Sequence, residues 1–223
     1  MLPLVALIRH LVTRLTFLHG TAERLLRSDL DRIGRYRHRV FVDGLGWQLE
    51  SHGGIERDQF DRLDTWHVAA IAPQTDRLVG VARLLPTHRP YLLADVFPQL
   101  VSSIPRDRGI WELSRFAAAD DVGAAPRSQI ASPIAVQLMR QVLAIAEANQ
   151  VHRLITVSPV GMLRLLKTSG FAAERAGRST VVDGARLEAL WIDVPPIIRA
   201  SSPPTFPSQP LSHAQRPLHG VGC

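Results

Sequence analysis

The segment "IWELSRFAA", residues 110–118, sets two opposite charges inside an otherwise apolar run. Strand side chains alternate between faces, so Glu112 and Arg115, three apart, belong on opposite sides of a regular sheet. Both sit in a frame of Trp111, Leu113 and Phe116, where an unpaired charge is costly. A β-bulge would turn both toward one side, and bulges recur beside active sites. The plain alternative is a strand with one exposed and one buried face. Arg83 repeats the problem inside "LVGVARLLP". A guanidinium there needs a carboxylate, and Asp61, Asp64 and Glu112 are the candidates. Asp61 and Asp64 stand three apart in "ERDQFDRLDTWHVAA", just ahead of a run that turns apolar. Acids and arginines from separate apolar segments read as one interlocked ionic cluster at a cleft, although such clusters also serve purely structural ends.

Around these segments the periodicity predicts an ordered series of elements. Leu25, Leu26, Leu30, Ile33, Tyr36, Val40 and Phe41 keep a helical period from Thr21 to Val42, with Thr21 as N-cap and Glu23 in the first turn. "VDGLGWQLESHGG" reads as a loop. Thr65 to Ile71 and Leu78 to Leu85 form a hairpin around "PQTD", closed off by Pro86 and Pro90. "IWELSRFAA" is the next strand. Ser132 caps a helix with Pro133 at its first position and Ile134, Leu138, Val142 and Ile145 on one face. "HRLITVS" is a buried strand, "PVGMLRLLKTSG" a helix ended by Gly170, and "LEALWIDVP" a last strand. Antiparallel strands followed by βαβα argue for one α/β domain, a mixed sheet with helices on both faces.

That domain is expected over residues 17–195. Ahead of it, residues 1–16 form an extension. Leu4, Leu7, Leu11, Leu15 and Leu18 suggest a short basic amphipathic helix, packed on the body or lying on a membrane surface; a misassigned start is the other reading. Arg9, His10 and Arg14 interrupt any signal or spanning segment, so no integral membrane contact is expected. Behind the domain, residues 196–223 are rich in proline and serine and are expected to stay disordered.

The chain has 26 Lys and Arg against 20 Asp and Glu, and Lys167 is its one lysine. An arginine excess either hints at an acidic partner or reflects genome composition. Cys223, the single cysteine, leaves no disulfide framework or thiol nucleophile within the fold and permits a cytoplasmic location. His52, Asp58, Asp61, Asp64 and His67 match no zinc spacing, so no metal is expected. GxSxG, P-loop and GxGxxG motifs are absent. With aromatics at 6% and no helix-turn-helix, nucleic acid is not an expected partner.

Arg37, Phe41 and Trp47 in "RHRVFVDGLGW", Asp61 and Asp64 in "DQFDRLDT", Arg83 in "GVARLLPT", and Glu112 and Arg115 in "WELSRFA" stand in a familiar order. The set resembles the signature of the acyl-homoserine-lactone synthases, the bacterial quorum-sensing autoinducer synthases. "RLLPTHRPYLLADVFP" and "WELSRFAAADD" look typical of the octanoyl-type branch. The resemblance implies an N-acetyltransferase-like three-layer sandwich whose sheet is splayed by a bulge into a V-shaped cleft. It implies acyl transfer from acyl carrier protein to S-adenosylmethionine, a substrate and not a cofactor, then lactonisation with release of methylthioadenosine.

In that frame Arg37, Phe41, Trp47, Asp61 and Asp64 bind S-adenosylmethionine, the acids by charge-assisted bonds to its cationic portion. Glu112 is the candidate proton acceptor or orienter, with Arg83 and Arg115 holding the acids in place. Thr156 and Ser158, in "LITVSP", match the acyl-chain strand where a hydroxyl can favour a 3-oxo chain. Arg153, Arg164 and Lys167 are the candidate docking patch for the acidic carrier protein, or else solvated helix residues. Two rivals stand beside this reading. An acetyl-coenzyme A N-acetyltransferase would want a glycine-rich turn where "PRSQIASPIA" has none. A catalytically dead binding protein would be expected to break the acidic set.

Overall fold

The computed structural model describes residues 15–118 and 132–196. The leucines expected to form a leader helix at 4, 7 and 11, and the proline-rich tail, lie outside these residues. The elements are β1 (Thr16–Thr21), α1 (Arg27–Arg37), β2 (Ser51–His52), β3 (Ile55–Glu56), β4 (Trp66–Ala72), β5 (Arg77–Pro86), α2 (Leu92–Val96), β6 (Ile110–Ala118), α3 (Pro133–Ala148), β7 (Arg153–Pro159), α4 (Met162–Thr168), β8 (Ala173–Arg175), β9 (Thr180–Val182) and β10 (Ala185–Asp193). One mixed sheet runs in the order β1-β4-β5-β6-β7-β10-β8, with β9 also on β10.

Three layers follow from the alternation along these strands. Val68, Ala82, Leu84, Leu113, Leu154 and Leu190 face Leu138 and Val142 of α3 and Leu166 of α4. On the other face, Ala69, Val81 and Ala117 meet Ile33, Tyr36 and Phe41. Leu85, Ile155 and Ala189 meet Tyr91 and Leu93 at α2. Strands β6 and β7 pair in parallel only from Ile110–Glu112 against Arg153–Ile155. Both continue past that point, to Ala118 and Pro159, and the sheet opens there into a V.

The bulge expected in β6 is present. Val81 pairs with Ala117 but Arg83 pairs with Ser114, so β6 spends one residue more than β5 across this step. Arg115 takes up the extra residue with a φ of 50°, in the left-handed region that a non-glycine residue rarely occupies. Ser114 and Ala117, although three apart, consequently share the α1 face.

Two parts of the N-terminal half differ from the sequence reading. Thr21 ends a strand instead of capping a helix, and α1 begins at Arg27 with no side-chain cap at Leu26. Phe17 and Leu18 pair across to Ala70 and Ala69, so sheet pairing outweighs the helical spacing of the leucines. The helix also runs past Val42, winding on as a π-helix through His38–Gly44. The expected loop conceals a hairpin as well. Gly53 and Gly54, with φ of 59° and 72°, make a tight two-residue turn between β2 and β3. Gly34 then lets β3 lie against α1, since a Cβ there would meet Ile55 Cγ2 at 2.5 Å. That close approach brings Glu56 beside Arg37.

Candidate active site

Three guanidiniums and three carboxylates interlock on the α1 face of the sheet among the described residues. Arg37, at the end of α1, donates from Nε to Glu56 and from Nη1 and Nη2 to Asp61 at 2.7 and 3.0 Å. Arg83 of β5 donates from Nη1 to Asp58 at 2.6 Å and to Asp61 at 3.2 Å, and from Nε to the Ser114 hydroxyl at 3.0 Å. Arg115 donates to Glu56 at 3.0 Å and to Asp58 at 2.9 Å. Each acid therefore joins two arginines, and formal charges cancel. The bidentate Arg37–Asp61 geometry is the strong form of such a pair. Exposure of 2% for Arg37 and 0% for Arg83 and Glu56 means that no partner can be removed without stranding a buried charge.

Burial alone would lift Asp61, but the charges of Arg37 and Arg83 and the Arg37 hydrogen bonds hold its carboxyl far below the usual range. Burial likewise opposes the charge on Arg37, yet Asp61 and Glu56 raise its pKa above the ordinary value. His67 lies 3.9 Å from Asp61; burial, helped by Arg37 and Arg83, lowers it to about 4, so it is neutral at pH 7. A cavity of about 290 Å³ opens beneath α1 against Arg37, Glu56, Asp61 and His67.

Glu112 occupies the crotch of the V, paired in register with Ile155 at the last step before β6 and β7 part. It is 0% exposed, and its oxygens accept from the backbone amides of Leu92 and Leu93 at 2.8 Å each. Burial pushes its pKa up to about 7, against the pull of those two amides and of Arg83 and Arg115. Each oxygen retains a second lone pair. The group has the proton affinity of a base working near neutrality. On the far side of Arg115, Phe41 stacks on Trp47 at 5.0 Å, with the Arg115 guanidinium 5.8 Å from the Phe41 ring. Phe41 is buried, whereas Trp47 stays 43% exposed and offers an open aromatic face.

The structure thus brings Arg37, Asp61, Arg83 and Arg115 into one network, with Glu112, Phe41 and Trp47 around it. Asp64 stands apart. It pairs with Arg62 at 3.0 Å and faces Arg89 at 3.8 Å, with a side chain 39% exposed. Three residues along an irregular segment turn it away from Asp61. Glu112 is also not an ion-pair partner of Arg83; its oxygens accept from the amides of Leu92 and Leu93 instead. Thr156 and Ser158 are buried on β7, and alternation places them with Leu154 on the α3 face, just past the point where the strands part. Arg153 is committed elsewhere, donating to Asp193 at 2.9 Å and to Glu174 and lying over Trp191. Arg164 and Lys167 remain exposed on α4.

Glu56, Asp58, Ser114 and His67 belong to the site but were not assigned to it from the sequence. The signal for Glu56 was "HGGIE", a two-glycine turn that makes a hairpin and delivers the residue after it. Asp58 lies in the same acidic segment as Asp61 and had no feature to set it apart.

Comparison with known proteins yields concordant findings. The family model for autoinducer synthase matches residues 22–195. The acyl-homoserine-lactone synthase of Acinetobacter nosocomialis is 42% identical over 163 residues, 71% of this chain and 88% of its own. TofI, solved in a ternary complex with an inhibitor and MTA, is 38% identical with a TM-score of 0.70, over 80% of this chain and 91% of that one. BjaI, a CoA-dependent acyl-homoserine lactone synthase solved with SAM and isopentyl-CoA, is 27% identical with a TM-score of 0.71, over 82% and 84%.

Proposed function

The chain belongs to the autoinducer synthase family and is an acyl-homoserine-lactone synthase, an acyltransferase; from that premise we propose that it joins S-adenosylmethionine to an acyl chain carried on acyl carrier protein. The observation that carries the reading is Glu112, fully buried at the crotch of the V with a pKa of about 7. An amine attacking a thioester must shed a proton, and a carboxylate poised near neutrality takes it. The new C–N bond forms as the C–S bond breaks and the carrier thiol leaves. The methionine carboxylate then attacks its own γ-carbon, closing the lactone as the sulfonium departs as methylthioadenosine. The pocket favours this step by proximity.

In this reading Phe41 and Trp47 supply an aromatic face for the sulfonium portion. Asp61 acts through Arg37 and Arg83, whose positions it fixes, and Asp64 acts at the rim through Arg62. Thr156 and Ser158 line the acyl path. Arg164 and Lys167 offer positive charge to an acidic carrier, with Arg153 shaping the edge beside them. BjaI is CoA-dependent, so carrier and coenzyme thioesters are the two donor classes to separate. Among the described residues no helix is long and apolar enough to cross a membrane; a cytoplasmic location is part of the same proposal, supported by the supply of both substrates there.

Purified protein with S-adenosylmethionine and acyl donors of several lengths, offered on carrier protein and on coenzyme A, tests the proposal. Methylthioadenosine release is expected to require an acyl donor and to be faster from the carrier. Equal or faster release from the coenzyme thioester would overturn the carrier assignment, and no release from any donor would overturn the reaction.

A further inference from the structure

Glu188, on β10, is a buried acid that the reaction described above does not use. It is 0% exposed, and its Oε2 accepts from Arg175 Nε at 2.8 Å. Its Oε1 is buried with no hydrogen-bond partner among the described residues. Arg175 is 60% exposed, so it reaches in from the edge and satisfies one oxygen only. A buried carboxylate oxygen without a donor is costly, and no described residue supplies one to Oε1.

Register shows which face of the sheet Glu188 occupies. Glu188 pairs with Ser158, and Leu190 with Thr156. Leu154, Leu190 and Ile192 pack under α3 and α4, so alternation puts Thr156, Ser158 and Glu188 on that same face. Directly opposed Cβ atoms lie about 5 Å apart and diagonal neighbours about 7 Å, within reach of a glutamate side chain. Thr156 is also the first residue of β7 beyond its pairing with β6. A polar strip therefore crosses an otherwise apolar floor, beginning where the sheet parts.

We propose that Glu188 selects acyl chains bearing a hydroxyl group, an assignment that rests on the synthase reading and on the acyl path along Thr156 and Ser158. The apolar floor takes the alkyl chain, and Oε1 accepts a hydrogen bond from the chain's O–H. A ketone offers a second acceptor and is repelled; an unsubstituted chain leaves Oε1 desolvated and empty. Sites built to bond a hydroxyl reject analogues that lack it. Chains built by two-carbon condensation carry their oxygen at the third carbon, which makes the 3-hydroxyacyl thioester the probe of choice.

The test compares kcat/KM for 3-hydroxyacyl, 3-oxoacyl and unsubstituted donors of one length, read as methylthioadenosine release. The wild-type enzyme is expected to favour the 3-hydroxy chain by about 10-fold or more over both others. Glu188→Gln keeps the shape while adding a donor, and should turn the preference toward the 3-oxo chain. Glu188→Leu should favour the unsubstituted chain. Wild-type ratios near one, as expected if only a buried water satisfies Oε1, overturn the assignment, as do variants that keep the wild-type ratios. Release from no donor overturns the synthase reading and this inference together, whereas release without hydroxyl preference overturns the inference alone.

Discussion

Strand β6 is charged on one side and apolar on the other. Glu112, Ser114 and Arg115 face α1 and α2, while Trp111, Leu113 and Ala118 pack in the core beneath α3. The α3 face is held by many small contacts, each replaceable at a graded cost. The opposite face adds to its apolar packing six charged side chains linked in one network, so losing one strands its neighbours. The first arrangement gives stability. The second sets Arg115 beside the Phe41–Trp47 pair, at the cost of a strained Arg115 backbone.

Four substitutions sharpen or break this contrast. Glu112→Gln should lower kcat by about 10²–10⁴-fold while leaving S-adenosylmethionine binding nearly unchanged, as read by turnover and calorimetry. The wild-type rate should rise with pH through about 7 as Glu112 loses its proton, and the variant should lose that rise. The linked effect on stability runs the other way. Because the folded pKa lies above the ordinary value of 4.5, the folded state binds the extra proton between 4.5 and about 7, and stability should fall as pH rises through that window. A flat stability profile there would deny that Glu112 is buried as described.

Next in size, Asp61→Asn removes the acid shared by Arg37 and Arg83 and should cost about 3–5 kcal/mol in urea unfolding, with activity lost. Its depressed pKa gives the complementary acid limb. The stabilisation it provides is full above about 3.8 and is lost as pH falls below that value. Leu138→Ala, on the apolar face, should cost about 2–5 kcal/mol yet leave kcat/KM per folded molecule within about two-fold. A large loss of activity here would erase the distinction between the two faces. Smallest of all, Asp64→Asn, at the half-exposed rim, should change stability by less than about 1 kcal/mol. A cost equal to that of Asp61→Asn would place Asp64 inside the network.

Much of the fold was legible before the structure. Period and caps gave β4 to β6, α3, β7, α4 and β10 close to their observed limits, with Ser132 accepting from the Ala135 amide as an N-cap should. Regular elements with one apolar face announce themselves locally. Strand β1 did not, because Leu18 within it and Leu15 just before it also fit a helical spacing, and only pairing with β4 chose between helix and strand. The short β8 and β9 carry too few residues for any period to show.

Within the site, the residue pattern alone placed Arg83, Glu112 and Arg115 as charges in apolar strands and suggested a bulge, and the register of β5 against β6 decided for the bulge over a strand with one exposed face. Which acid meets which arginine was a tertiary decision. Glu56 and Asp58 took places that Asp64 and Glu112 also fitted on paper, since a side chain's partner depends on where an irregular segment folds back. Local chemistry sets what a buried charge requires, and only the packed chain settles what stands within hydrogen-bonding distance of it.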